Sequence, residues 1–173
     1  MKTLKTVIIF LVILVANTSF KKQIGKDDFY IIVSKSSYTM NIYDAENNFI
    51  VSYPATFGSK DLSDKMYEGD RRTPEGTFHI AAKRVHPKWS RFMALDYPTA
   101  ESYQKFNERK AIGEIPANAT IGGGIGIHGT WPKEDWAVDE HQSWTQGCVS
   151  TKNDYVSEMY NQLPVGTRVE IVP

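Results

Sequence analysis

The 173-residue chain holds a single cysteine, Cys148, inside the stretch HGTWPKEDWAVDEHQSWTQGCVS that runs from His128 to Ser150. An internal disulfide is therefore impossible, and the residue is either a buried small hydrophobe, an intermolecular linker or a reactive thiol. Gly147 directly precedes it, and a helix is predicted to begin about three residues later, so backbone N–H groups and a positive helix end would lie near the sulfur and lower its pKa. Those N–H groups also suit the negative oxygen that forms when a thiolate attacks a carbonyl. His128 ends the strand-like run Ile127-His128-Gly129-Thr130, where an imidazole either acts as a base toward a neighbouring loop or simply satisfies a turn. A free thiol of pKa ~8.5 is only a few per cent ionised at neutral pH, so a base partner would matter to rate.

The segment between the two, Trp131 to Gln146, is long and polar and carries Trp131, Trp136 and Trp144. That composition suits a lid or binding wall, and equally aromatic plugs for a small core. A zinc site would need His141 beside Cys148 and His128, but the close paired spacings of structural zinc sites are missing and a fourth ligand is unassigned, so no metal is expected. Neither a serine nucleophile elbow nor a phosphate-cradling loop with its lysine is present.

Mostly strands must position these residues. Phe29 to Ser34 is β-branched and aromatic, and YTMNIYDAENNFIVSYPATFG alternates on both sides of a turn at Asp44 to Asn48, which predicts a hairpin. Further strands are expected at Thr77 to Ala82, in RFMALDYP, at the end of ATIGGGIGIHG and in VGTRVEIVP. Glu101 to Lys110 places Tyr103 and Phe106 at helical spacing. A second helix is predicted after Cys148, with Thr151 as cap, Val156, Met159 and Leu163 on one face, and Pro164 as its stop. The expected fold is mainly β, a sandwich or barrel-like domain with short helices.

Lys2 and Lys5 precede an unbroken apolar run from Val7 to Ala16, the pattern of an export signal. The run is shorter than the ~20 residues of a membrane span, and no A-x-A cleavage triplet follows. Residues 1–19 are thus expected to be a signal peptide or an N-terminal membrane anchor, 20–28 a linker and 29–173 one domain, placed outside the cytoplasm, in the periplasm or cell envelope. The chain is formally neutral, and without Lys2 and Lys5 it keeps 18 basic against 20 acidic residues, unlike a nucleic-acid binder. Only Lys83, Arg84, His86, Lys88 and Arg91 form a basic cluster, either a solvated face or a binding patch.

Taken together, Gly69-Asp70 with Thr73-Pro74-Glu75-Gly76-Thr77-Phe78, then Leu95-Asp96-Tyr97-Pro98, Gly126-Ile127-His128-Gly129-Thr130, and Gly147-Cys148-Val149 followed by Asn153, resemble the L,D-transpeptidase catalytic domains of bacterial cell-wall enzymes. Each motif is weak alone; their order and the His128 to Cys148 spacing are specific, and the similarity spans roughly Phe29 to Val172. The resemblance implies a cofactor-free cysteine acyl transfer on peptidoglycan stem peptides. It assigns Cys148 as nucleophile, His128 as base, the Gly129 carbonyl as the group orienting the imidazole, and the Gly147 and Cys148 amides as oxyanion hole. Asn153 joins as site support, and Tyr97, Trp131, Trp144, Arg71 and Arg91 as candidate substrate contacts. Two positions depart from the family pattern: Gln146 stands for a histidine and Ser150 for an arginine that supports the site or its anionic substrate. Arg71, Arg72 or Arg91 would have to replace that cation. Hydrolysis by the same thiol, and a non-catalytic wall-binding module using the tryptophans, are the competing expectations.

Overall fold

The computed structural model describes residues 25–173; the expected signal or anchor at 1–19 and most of the linker lie outside the described residues. Eight strands follow in the order β1 (Phe29–Ser34), β2 (Thr39–Asp44), β3 (Phe49–Pro54), β4 (Gly76–His86), β5 (Ser90–Leu95), β6 (Gly126–His128), β7 (Val149–Ser150) and β8 (Arg168–Val172). Three helices join them: α1 (Ala100–Ala111), α2 (Trp136–Asp139) and α3 (Asn153–Gln162). The alternation that predicted the strands is the alternation that is buried: Ile31 and Val33 in β1, Met40 and Ile42 in β2, and Val169 and Ile171 in β8 all face the core. The β2–β3 turn is fixed by Asp44, whose carboxylate accepts the backbone N–H groups of Glu46 and Asn48 at 3.0 and 2.8 Å.

All eight strands form one mainly antiparallel sheet in the order β3-β2-β1-β8-β4-β5-β6-β7. Its corner is β4, which pairs with β8 through Gly76 to His79 and with β5 from Ile80 onward, with a register shift between Ile80 and Ala82. This is why β4 runs four residues past the predicted Thr77 to Ala82. The two ends of the sheet meet: Thr56, just after β3, bridges Ser150 in β7 through N–H···O bonds of 2.8 and 2.9 Å. The result is a half-barrel with short helices, the mainly β fold that the sequence predicts.

Helix α1 starts on Thr99, whose hydroxyl accepts the Ser102 N–H, and it buries Phe106 while Tyr103 stays exposed. Helix α3 buries Val156 and Met159, with Leu163 at its end, as its spacing predicts. Its start differs from expectation. Thr151 is not the cap, because its hydroxyl donates to the Pro54 carbonyl at 2.7 Å. The carboxylate of Asp135, from the segment between β6 and β7, instead accepts the Asn153 N–H at 3.1 Å.

Candidate active site

Strands β6 and β7 run parallel, with His128 opposite Ser150 and Ile127 opposite Val149. Cys148 lies two residues before Ser150, so its side chain leaves the same face of the sheet as His128. The topology thus brings to one face two residues that are 20 positions apart in the chain. Glycine is required where the chain reaches the cysteine: Gly147 has φ +122°, and a Cβ there would lie 2.8 Å from the Arg72 carbonyl oxygen.

The imidazole of His128 is 1% exposed. Its Nδ1 lies 2.7 Å from the Gly129 carbonyl oxygen, so Nδ1 carries the proton and Nε2 is left as the basic nitrogen. Ser150, fully buried, donates its hydroxyl to the same carbonyl at 3.4 Å. The position that carries an arginine in the family pattern therefore holds a small hydroxyl directed at the group that orients His128. Around the ring, Trp89 stacks at 4.6 Å, Phe92 at 5.9 Å, and Trp144 meets it edge-on at 5.2 Å.

This apolar wrapping decides the charge state. Burial drives the His128 imidazole down to about 4, against the opposing pull of its Gly129 hydrogen bond. Burial pushes the Cys148 thiol up to about 11, outweighing the Gly126 backbone hydrogen bond and the Lys65 ammonium, which both favour the thiolate. The expected lowering of the thiol pKa is thus overturned. Helix α3 begins five residues after the sulfur rather than three, and its first turn is already neutralised by Asp135. In this resting geometry the thiol donates to the Gly124 carbonyl at 3.5 Å, and no hydrogen bond joins it to His128 among the described residues.

The other candidates divide. Asn153 donates to the Thr130 hydroxyl at 2.9 Å and to Asp135 at 3.2 Å, and Thr130 donates to Asp135 in turn, so the three tie the strand end after His128 to α3. Arg71 donates to the carbonyls of Ser143 and Thr145 at 2.9 and 3.4 Å and so pins the approach to Cys148. The Gly147 N–H is engaged by the Thr145 hydroxyl at 3.2 Å. Gln146 is exposed. Trp131 and Trp144 both pack on Trp89, at 6.2 Å each. Tyr97 is buried beneath the sheet, with its hydroxyl on the Ile121 carbonyl and its ring edge-on to Phe78. Arg91 is not brought to the site: it neighbours Phe92, whose partner is His128, so it faces the opposite way and lies over the Tyr160 ring of α3. Arg72 pairs with Asp61 at 2.5 Å. His141 stacks on Tyr38 at 4.1 Å, and among the described residues no group of three or more His, Cys, Asp or Glu side chains could hold a metal ion.

Sequence reading missed Trp89, the ring that covers His128. It sits in the turn between β4 and β5, where no periodicity marks a residue as inward-facing.

A mainly β half-barrel that presents one cysteine and one buried histidine on a shared face defines a class, and comparison with known proteins gives its family. A family model for the L,D-transpeptidase catalytic domain matches residues 28–171, and the chain belongs to that family. Among curated proteins it is 31% identical over 106 residues to "Putative L,D-transpeptidase YqjB" of Bacillus subtilis (strain 168), covering 59% of this chain and 53% of that one. The chain thus spans about half the length of the curated relatives it matches. Its fold is similar to that of the helical cell shape determining protein Pgp2 of Campylobacter jejuni (TM-score 0.58, 22% identity, 84% of this chain and 48% of that one). It is also similar to an L,D-transpeptidase from Mycobacterium smegmatis (TM-score 0.51, 17% identity, 84% and 59%).

Proposed function

We propose that this protein is a cysteine acyltransferase of peptidoglycan in which Cys148 is the nucleophile and His128 its base. The observation that carries this reading is the fixed imidazole: Nδ1 is committed to the Gly129 carbonyl at 2.7 Å, which leaves Nε2 as a proton acceptor on the face from which Cys148 emerges. The thiol and imidazole rest as neutral partners, so proton transfer accompanies attack instead of preceding it. Cys148 Sγ adds to the carbonyl of a stem-peptide diamino acid, its proton passes to His128 Nε2, and the developing oxyanion is received by the backbone amide of Cys148, the Gly147 N–H being committed to the Thr145 hydroxyl. Collapse expels the terminal D-amino acid, which takes the proton from His128 and leaves a thioester. An amine on a second stem then forms a crosslink; water in its place gives trimming.

Incubation with a stem tetrapeptide, followed by intact-mass measurement, tests the scheme. The expected adduct equals the peptide minus its last residue and is absent from Cys148→Ala. An adduct on any other residue, or turnover retained by Cys148→Ala, would reject it. Product masses with and without an acceptor amine separate transfer from hydrolysis.

A further inference from the structure

The hairpin that joins β4 to β5 closes over Pro87, Lys88 and Trp89, with His86 opposite Ser90. A side chain holds its tip. The Nδ1 atom of His86 accepts the backbone N–H groups of Lys88 and Trp89, each at 3.2 Å, so the ring proton sits on Nε2. The same ring lies flat against the Trp89 indole, 4.2 Å away and tilted by 7°. The turn needs this hold: Ser90 is bent into the left-handed region at φ +58°, and the buried Trp89 Nε1–H has no acceptor among the described residues to anchor the indole by its own polar atom. A contact of 3.1 Å between the Ser90 and Ser157 hydroxyls adds a tie to α3.

Trp89 passes the hold on to the candidate base in two ways. Its indole stacks on the His128 ring at 4.6 Å, and its carbonyl accepts the Gly129 N–H at 3.1 Å. Gly129 is thereby fixed through both of its backbone groups, since its carbonyl takes the His128 Nδ1–H and the Ser150 hydroxyl. A shift of Trp89 would uncover the imidazole and move the carbonyl that orients it at the same time. From this chain of contacts we infer that His86 is a positioning residue for His128: the lone pair on its Nδ1 fixes Trp89, and Trp89 fixes the imidazole and the Gly129 carbonyl. The consequence for rate rests on the acyltransferase reading, and the consequence for the His128 ring does not. The lone pair is available at neutral pH, because partial burial and the nearby Arg84 and Lys88 cations hold the His86 pKa below its ordinary 6.5.

Two variants separate the lone pair from the ring. His86→Asn offers an acceptor at the same branch of the side chain, Oδ1, which can bond N–H groups two and three residues on, but it has no ring. His86→Phe keeps a ring over Trp89 and has no acceptor. The readout is exchange of the His128 Nδ1–H with water, followed by nitrogen–proton NMR of histidine-labelled protein at pH 7. In the unaltered protein this proton should be long-lived and His86 should be the Nε2–H tautomer. Exchange should speed up at least about tenfold in His86→Phe and in Trp89→Leu, and stay within about threefold of the unaltered rate in His86→Asn. A role in fold stability alone would lower the denaturant midpoint of both His86 variants without sorting their exchange in this way. A proton on His86 Nδ1, an unchanged rate in His86→Phe, or exchange as fast in His86→Asn would each overturn the assignment. The tautomer and the asparagine variant decide it even where the phenylalanine variant does not fold. With a stem tetrapeptide, acylation of Cys148 should slow about tenfold in His86→Phe and recover in His86→Asn. Unchanged acylation beside faster exchange would reject the bearing on rate. Absence of any adduct in the unaltered protein would instead reject the acyltransferase reading, and the exchange measurement would still judge the hold on His128.

Discussion

At the residue scale, the site is governed by the wrapping of two titratable groups and less by any charge placed beside them. With the thiol raised to about 11 and the imidazole lowered to about 4, both are neutral across the physiological range. Alkylation of Cys148 by iodoacetamide should therefore climb about tenfold per pH unit from pH 7 to beyond pH 9, following the small thiolate fraction. A rate that levels off near pH 7 would show a preformed thiolate and contradict this account. Stability follows the same shifts. The unfolded imidazole takes up protons from its ordinary value of 6.5 downward while the folded one holds out to about 4, so stability is lost as pH falls through that window. On the alkaline side the unfolded thiol ionises first, and stability falls as pH rises from 9.0 toward about 11. Denaturant midpoints measured against pH should show both limbs, and Cys148→Ala should remove the alkaline one.

At the element scale, the turn that leads to Cys148 is held by backbone packed on backbone. A Cβ at Gly58 would lie 2.3 Å from the Arg71 carbonyl oxygen, 2.6 Å from that of Thr145 and 2.7 Å from the Gly147 nitrogen, none of which can rotate aside. Gly58→Ala should cost about 1–3 kcal/mol by overpacking. It should also lower the acylation rate by on the order of 100-fold, because the turn carrying Cys148 must shift; a stable variant with unchanged rate would refute the tie. The Thr73-Pro74-Glu75-Gly76 turn has a different anchor. Lys35, 1% exposed, reaches Glu75 at 2.6 Å and the Thr73 carbonyl at 3.4 Å. Glu75→Ala would strand that ammonium, with an expected loss of about 3–5 kcal/mol in a denaturant titration. These contacts mark what could be read in advance. Strands showed through because Ile31, Val33, Val169 and Ile171 alternate, and α3 because Val156, Met159 and Leu163 share a face. The α3 cap, the cover over His128 and the fate of the basic cluster did not, since each is set by residues distant in sequence. Lys83 and Arg91 pack over the Tyr160 ring of α3, with Lys83 also binding the Leu163 carbonyl at 2.7 Å, while Arg84 lies over Phe92 and Lys88 over Trp131. One run of charge therefore serves two faces of the sheet.

At the scale of the whole molecule, closure of the half-barrel and placement of the site depend on one segment, residues 55–58. Thr56 bridges Ser150 by its backbone, its hydroxyl donates to the Gln142 carbonyl at 2.7 Å, and the Phe57 carbonyl accepts the Trp144 N–H at 3.2 Å. The edge strand that follows the candidate nucleophile and the returning arm of the tryptophan segment are thus fastened to the same point on the opposite edge of the sheet. Thr56→Ala keeps the backbone bridge but removes the hydroxyl bond, worth about 1 kcal/mol. Hydrogen exchange should then speed up roughly fivefold across residues 141–147, with little change in β1 and β8, whose amides report global unfolding. Equal acceleration in β1 and β8 would mean that the bond stabilises the whole barrel and has no separate hold on the segment. No acceleration at 141–147 would mean that the backbone bridge alone fastens it.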